Sequence, residues 1–417
     1  MQPNTPSADE AQSGRRFQRI DSIDLLRGVV MVLMMLDHTR DFVHSATPQF
    51  QPEDLERTNV ALFLTRWVTH FCAPTFVFLA GTGTYLQLAR GKSKSELSRF
   101  LVTRGLWLIV LEFTLVRFGF TFNLNYSFFG AMQVIWVIGL SMILLAGLIY
   151  LPTVIVGAFG VLMIALHNLL DSVRVPSWRG PDSPVPSFGT KLWMILHQQF
   201  EAFPILWFFP SPVVVVIYPL IPWVGVMAAG FAFGSVYQLT PERRRRLLLI
   251  TGAGLSLLFV LIRVINEYGD PSPWSRQSST VFTVLSFINT SKYPPSLDYL
   301  LMTLGPAILA LAAFEKSSAA RGGLSRFFIT FGRVPLFFYL LQWLTAHSIS
   351  VILHFAFGKP VGWLFQNAGI AAAPPGVGFN LVVVYLSWFA GIAILYPLCK
   401  WFARVKARRR DWWLSYL

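Results

Sequence analysis

Long apolar runs separated by short polar or basic stretches recur along the chain, and each is long enough for a helix crossing the roughly 30 Å hydrocarbon layer. Taken in order they predict about ten transmembrane helices, at 24–42, 60–88, 105–122, 130–151, 153–170, 213–239, 247–266, 297–314, 335–355 and 379–402. Polar segments at 45–59, 123–127, 171–191 and 267–295 read as the loops between them. The stretch 202–212 is crowded with Trp, Phe and Pro and reads as interfacial or re-entrant, because aromatic side chains gather at that depth. No internal repeat is visible. The predicted architecture is all-α: a polytopic integral membrane protein folded as a single bundle over 22–403. A polar tail at 1–21, read as disordered and cytoplasmic, precedes it, and a basic cytoplasmic tail at 404–417 follows.

Composition agrees with this pattern. The 417 residues are 54% hydrophobic and 13% charged, with a mean hydropathy of +0.55. The net charge of +14 invites a nucleic-acid reading until its location is considered. Of the 34 Lys and Arg residues, 22 fall in five clusters bordering apolar runs: 15–19, 90–104, 243–246, 316–333 and 400–410. The alternating spans put all five on one side, as the positive-inside rule requires. The charge therefore sets topology and meets anionic membrane lipids, and no nucleic acid is expected as a partner. Both termini are expected in the cytoplasm. Cys72 and Cys399 stand far apart in apolar surroundings, so neither a disulfide framework nor a metal site is expected.

Candidate chemistry gathers in the first span, SIDLLRGVVMVLMMLDHTRDFVH, which carries Asp24, Arg27, Asp37, His38, Arg40 and Asp41. Ionisable groups kept inside a membrane usually face a cavity or one another. Arg27 and His38 are eleven residues apart, which sets them within roughly 20° of each other on a helix and about 16 Å apart along its axis. Asp24, Met31, Met34 and Asp41 lie close to the same line. That face suits a long ligand whose anionic end meets Arg27 and whose reactive end reaches His38. His38 reads either as a helix-packing imidazole or as a base or acylated nucleophile. The second reading is favoured by Arg27 three turns away and by Asp41 at i+3, a carboxylate able to fix the tautomer and steady the imidazolium. Asp37 and Arg40 point away from that line and are expected to pair as a structural bridge.

Several stretches together resemble the bacterial branch of the heparan-α-glucosaminide N-acetyltransferase catalytic-domain family. They are SIDLLRGVVMVLMMLDHTRDF, THFCAPTFVFLAGTG, LEFTLVRFGFTFN, QVIWVIGLSMI, LHNLLD, YPLIPWVGVMAAGFAFG, TSKYPPSLDYLLMTLGP and FGRVPLFFYLLQ, running from residue 22 to about 347. The Arg27–His38 spacing is also similar to the Arg, ten residues, His pattern of membrane enzymes that acetylate bacterial surface polysaccharides. The resemblance implies a transmembrane acyltransferase of the bacterial inner membrane. Acetyl-CoA would be the cytoplasmic acyl donor, and a sugar, glycan or other hydroxyl- or amine-bearing molecule the extracytoplasmic acceptor. Arg27 and Asp24, with Met31 and Met34, would then meet the donor. For Arg27 and Asp24 a plain interfacial pair is an equal reading.

Elsewhere, His70 precedes Pro74 by four residues, and Pro74 should free a carbonyl near it, so a polar pocket competes with a satisfied core histidine. Lys292 and Tyr293 read as an external rim for the acceptor. His347 lies in the ninth span, where relatives often place a histidine at the position of Gln342. Glu112 and Arg117 share an apolar run and are expected to pair. The competing function is a secondary transporter, which charged, broken helices near mid-membrane would also suit. A homo-oligomer is compatible with either.

Overall fold

One helix stands against most of the elements that shape the site. The computed structural model describes residues 20–47, 49–206, 211–316, 322–409 and 411–416. Nearly all of the expected N-terminal tail, with the basic cluster 15–19, lies outside the described residues. Helix α1 (Asp21–Val43) starts with Asp21 and Asp24 in its first turn and carries Arg40 in its last, each sign suiting the helix dipole.

The second helical rod comprises α2 (Val60–Trp67), a tightened turn Val68–Phe71 and α3 (Cys72–Ala89). It opens where the Asn59 side chain accepts from Leu62 N at 3.0 Å. A Ser93–Glu96 capping box opens α4 (Lys94–Leu111). A π-helical turn at Glu112–Val116 leads into α5 (Arg117–Thr121). Strand β1 (Phe128–Met132), α6 (Val134–Leu148) and α7 (Thr153–Leu166) follow, then α8 (Phe188–Leu196), β2 (Glu201–Pro204), β3 (Val213–Val216) and α9 (Trp223–Phe233). Pro241 occupies the first turn of α10 (Pro241–Ile265), where its missing N–H costs nothing. The chain continues through α11 (Thr280–Ile288), α12 (Leu297–Lys316), α13 (Gly323–Gly332), α14 (Pro335–Ala356) and α15 (Leu381–Arg408).

Helix α1 packs on α3, α12, α13, α14 and α15. Its crossing with α13 is a backbone contact: a Cβ on Gly332 would lie 1.8 Å from Asp24 O, and one on Gly28 would lie 1.9 Å from Phe328 O. Only glycine allows that approach, which brings Arg333 and α14 alongside α1. Further pairings join α4 to α6, α9 to α3 and α7, and α10 to α12.

Six helices among the described residues are long and apolar enough to cross a membrane: Val60–Ala89, Thr153–Leu170, Pro241–Ile265, Leu297–Glu315, Pro335–Ala356 and Leu381–Arg408. Helix α6 is apolar but shorter, and α1 carries too many charges to qualify on composition. Apolar residues left at the surface on α7, α10 and α15, such as Val154, Ile155, Leu257, Leu261, Val382 and Leu386, have lipid as their natural solvent.

Two expectations are corrected. The span expected at 213–239 is helical only from Trp223, because Val213–Val216 is a strand; four consecutive β-branched residues prefer that backbone. It is the centre of a three-stranded sheet ordered β1-β3-β2, parallel to β1 and antiparallel to β2. Met194, Phe203, Val214 and Val216 bury one face of this sheet. The expected interfacial stretch 202–212 supplies β2, and its centre, 207–210, lies outside the described residues. Finally, Glu112 and Arg117 do not pair. Glu112 accepts from the Trp136 backbone N–H at the start of α6, at 3.0 Å. Arg117 instead gathers carbonyls, including Phe128 O at 2.9 Å, Asn123 O at 2.8 Å and Asn125 O.

Candidate functional site

A cavity of about 660 Å³ runs along α1, with walls from α3, α4, α6 and α14. Asp24, Arg27, Met31 and Met34 all line it, so the face the helical period singled out does look into one space. Arg27 Nη1 donates to Asp24 Oδ1 at 3.1 Å and to Gly332 O at 3.3 Å. Arg27 is therefore at once the partner of Asp24 and a cation lining the cavity. Arg90, Lys92, Arg104, Arg333 and Lys406 join it, so that among the described residues six cations and the Asp24 carboxylate line the space, with Arg333 also 3.7 Å from Asp21 Oδ1. Three of the five basic clusters in the sequence converge here. Farther along, the walls turn apolar, with Met31, Met34, Phe76, Leu79, Ile135 and Leu336.

On α1 the lining ends at Met34, and on α14 it ends at Tyr339. One turn further on each helix, His38 and Trp343 stack on each other with ring centroids 3.8 Å apart. His38 thus stands directly beyond the inner end of the cavity. Its Nδ1 is buried and has no hydrogen-bond partner among the described residues.

The expected partnership of His38 with Asp41 is corrected by this geometry. Arg40 Nη2 donates to Asp41 Oδ1 at 2.5 Å, and the guanidinium of the adjacent residue takes the carboxylate. A cation in contact outcompetes a neutral ring one helical turn away. Arg40 Nη1 also lies 2.9 Å from Asp37 Oδ1, the bridge expected from their spacing.

A second group of charges surrounds the C-terminal half of α1. Arg66 Nη1 donates to both oxygens of Asp37, at 2.7 and 2.6 Å, and Lys292 Nζ lies 3.8 Å from Asp37 Oδ2. Arg66 Nε donates to Glu53 Oε1 at 2.7 Å, and His70 Nε2 lies 3.3 Å from the same oxygen. Burial pushes the Glu53 carboxyl up, but Arg66 and the His70 hydrogen bond more than reverse this and hold it below the usual carboxylate range. Three cations (Arg40, Arg66, Lys292) thus balance three carboxylates (Asp37, Asp41, Glu53), which is how buried charge is tolerated. The carbonyl freed near Pro74 exists and is used: Tyr299 Oη donates to His70 O at 2.8 Å.

The remaining expected residues separate. Lys292 joins the charged group, whereas Tyr293 packs edge-on against Tyr218, with centroids 5.1 Å apart, and its hydroxyl donates to that of Tyr218 at 3.4 Å. His347 is far along α14, with Nδ1 donating to Gly119 O at 2.9 Å and its ring stacked on Phe122 at 3.8 Å. Arg66 and Glu53 had not been singled out. An arginine inside the run LFLTRWVTHF was the available signal for the first, whereas nothing local marks Glu53 within its polar loop. Tyr339 and Trp343 were legible only as an i, i+4 aromatic pair.

Comparison with curated proteins finds no match. Comparison with protein families matches residues 19–267 to the family described as heparan-alpha-glucosaminide N-acetyltransferase, catalytic. That match takes in more than half of the chain, including α1, the Asp37–Arg66–Glu53 group and most of the cavity wall. The chain belongs to the heparan-alpha-glucosaminide N-acetyltransferase catalytic-domain family, whose members suggest a transmembrane acetyltransferase.

Proposed function

We propose that the protein moves an acetyl or other short acyl group from acyl-CoA on the cytoplasmic side to an extracytoplasmic hydroxyl or amine acceptor, such as an amino sugar or glycan. The observation that carries this reading is the gradient inside one cavity: six cations at one end, an apolar methionine-lined passage, and His38 one turn beyond the other end. The donor, a substrate here, has the same polarity, with phosphates at one end of a flexible arm and a thioester at the other. Arg27, Arg90, Lys92, Arg104, Arg333 and Lys406 bind the phosphates through charge-assisted hydrogen bonds. Met31 and Met34 lie against the arm and exclude water from it. On the far side of His38, the group around Asp37, Glu53 and Lys292 borders the acceptor's approach. His38 takes the proton of the acceptor hydroxyl or amine as it attacks, and returns it to the departing thiolate. An imidazole suits both transfers, because its ordinary pKa lies near neutrality.

The reading extends to ten transmembrane helices, both termini in the cytoplasm and residence in a bacterial inner membrane, supported by the placement of the basic clusters. The test uses purified protein, measuring acetyl-CoA binding and transfer of labelled acetyl to a panel of amino sugars and glycans. His38→Ala should bind acetyl-CoA as wild type does and lose about 10²–10⁴ in transfer rate. Wild-type turnover in this variant would overturn the mechanism. Failure of the wild-type protein to bind acetyl-CoA would overturn the function, and would favour transport instead.

A further inference from the structure

The partition between the basic cavity and His38 carries two unused hydrogen-bond donors. Tyr339 and Trp343 stand one turn apart on α14, with ring centroids 6.4 Å apart, and keep only 5% and 3% of their surface exposed. Among the described residues, neither the Tyr339 hydroxyl nor the Trp343 Nε1–H makes a hydrogen bond of good geometry, the two polar groups lying near each other. A buried donor left unsatisfied costs about 1–3 kcal/mol, so two in adjacent turns call for an acceptor that arrives from elsewhere. Their placement says from where. Tyr339 lines the cavity at its inner end, and Trp343 lies flat against His38.

We propose that Tyr339 Oη–H and Trp343 Nε1–H together form the oxyanion site for the thioester carbonyl; this rests on the donor orientation proposed above. As the acceptor heteroatom bonds to the carbonyl carbon, its proton passes to His38 and the carbonyl π electrons move onto oxygen. Tyr339 and Trp343 donate to that oxygen and keep their own protons. When the C=O bond re-forms, the C–S bond breaks and the thiolate takes the proton back from His38. The two donors strengthen their hold as charge develops, which is what separates catalysis from simple binding. The stack on Trp343 also fixes the plane of the His38 ring, so one tryptophan positions the base and supplies a donor.

Tyr339→Phe and Trp343→Phe remove one donor each and keep an aromatic ring in place. Each should hold acetyl-CoA affinity within about twofold while transfer falls about 10²–10³, the usual cost of one oxyanion donor. The readout that packing alone would not move is the infrared band of the bound carbonyl, with the donor supplied as [1-¹³C]acetyl-CoA. In wild type it should lie below its position in water, and in Tyr339→Phe it should shift upward. An unshifted band with affinity retained would overturn the inference, whatever the rate. Should Tyr339→Phe not fold, the band in Trp343→Phe decides in the same way. If wild type binds and transfers acetyl but the band does not respond, only the oxyanion site falls. If wild type does not bind acetyl-CoA, the donor reading falls with it.

Discussion

Arg27→Ala tests the proposed donor end of the cavity, but it does two things at once. The guanidinium holds Asp24 at 3.1 Å, and the Asp24 side chain is far more buried than that of Arg27, at 4% against 19% exposure. Under the proposed donor orientation, deleting it removes a contact to a phosphate, worth about 1.5–3 kcal/mol, or roughly 10- to 150-fold in affinity. It also leaves the Asp24 carboxylate less compensated in the wall of a site meant for an anion. Both effects weaken donor binding, so the single variant cannot apportion them. Asp24→Asn removes the second effect alone, and the pair forms a double-mutant cycle. Asp24→Asn should bind CoA at least as tightly as wild type, Arg27→Ala should lose the full factor, and the double variant should recover only the part due to Asp24. It should remain at least about tenfold weaker than wild type. Calorimetric titration of CoA into purified protein at two salt concentrations measures this, and the loss should shrink as salt rises. Wild-type affinity in the double variant would show that Arg27 serves only to neutralise Asp24.

Three further outcomes follow from the same geometry. Arg66→Ala leaves Asp37 and Glu53 without their shared cation and should lower stability by about 3–5 kcal/mol; an unchanged thermal midpoint in detergent would mean the group is hydrated and not structural. Asp41→Asn should slow transfer less than His38→Ala does, because its carboxylate engages Arg40; equal losses would put Asp41 at the reacting atoms. Reporter fusions at the C-terminus and between Arg243 and Arg246 should both report the cytoplasm, and an external signal from either would break the ten-span order.

What the sequence made legible is what lies along one helix. A period of 3.6 residues is enough to put Asp24, Arg27, Met31 and Met34 on one wall. It is not enough to say which neighbour a side chain prefers, and Asp41 shows why. The i+3 relation to His38 allowed a contact, but a guanidinium on the adjacent residue offers a stronger partner. Glu112 and Arg117 failed because each found a backbone partner instead: one turns to the start of α6 and the other to the 123–128 turn, across a π-helical turn whose period is not 3.6 residues. The small sheet escaped notice because four valines read equally as the head of an apolar span. The convergence of Arg90, Lys92, Arg104, Arg333 and Lys406 on one cavity was unreadable in principle, since it depends on which helix ends meet in space. The glycines that bring two of those ends together gave no signal beyond their presence.

The Asp37 group supplies the orientation that Asp41 does not. Asp37 is the residue before His38, and its two oxygens are held by Arg66, with Arg40 and Lys292 beside them. Such bonds are directional and buried, so they fix how α1 is rotated about its own axis at that level. Once that rotation is set, the helical period determines where everything else on α1 faces. Met34, Met31 and Arg27 must look into the cavity, and His38 must meet the Trp343 ring. A second, independent clamp acts near the other end, where Gly28 and Gly332 let α1 and α13 touch through their backbones. Between two such fixed points a helix has little freedom to turn. A protein that carries a solute across by rocking one bundle against another needs such a helix to move, whereas an enzyme that holds a base against a threaded thioester needs it still.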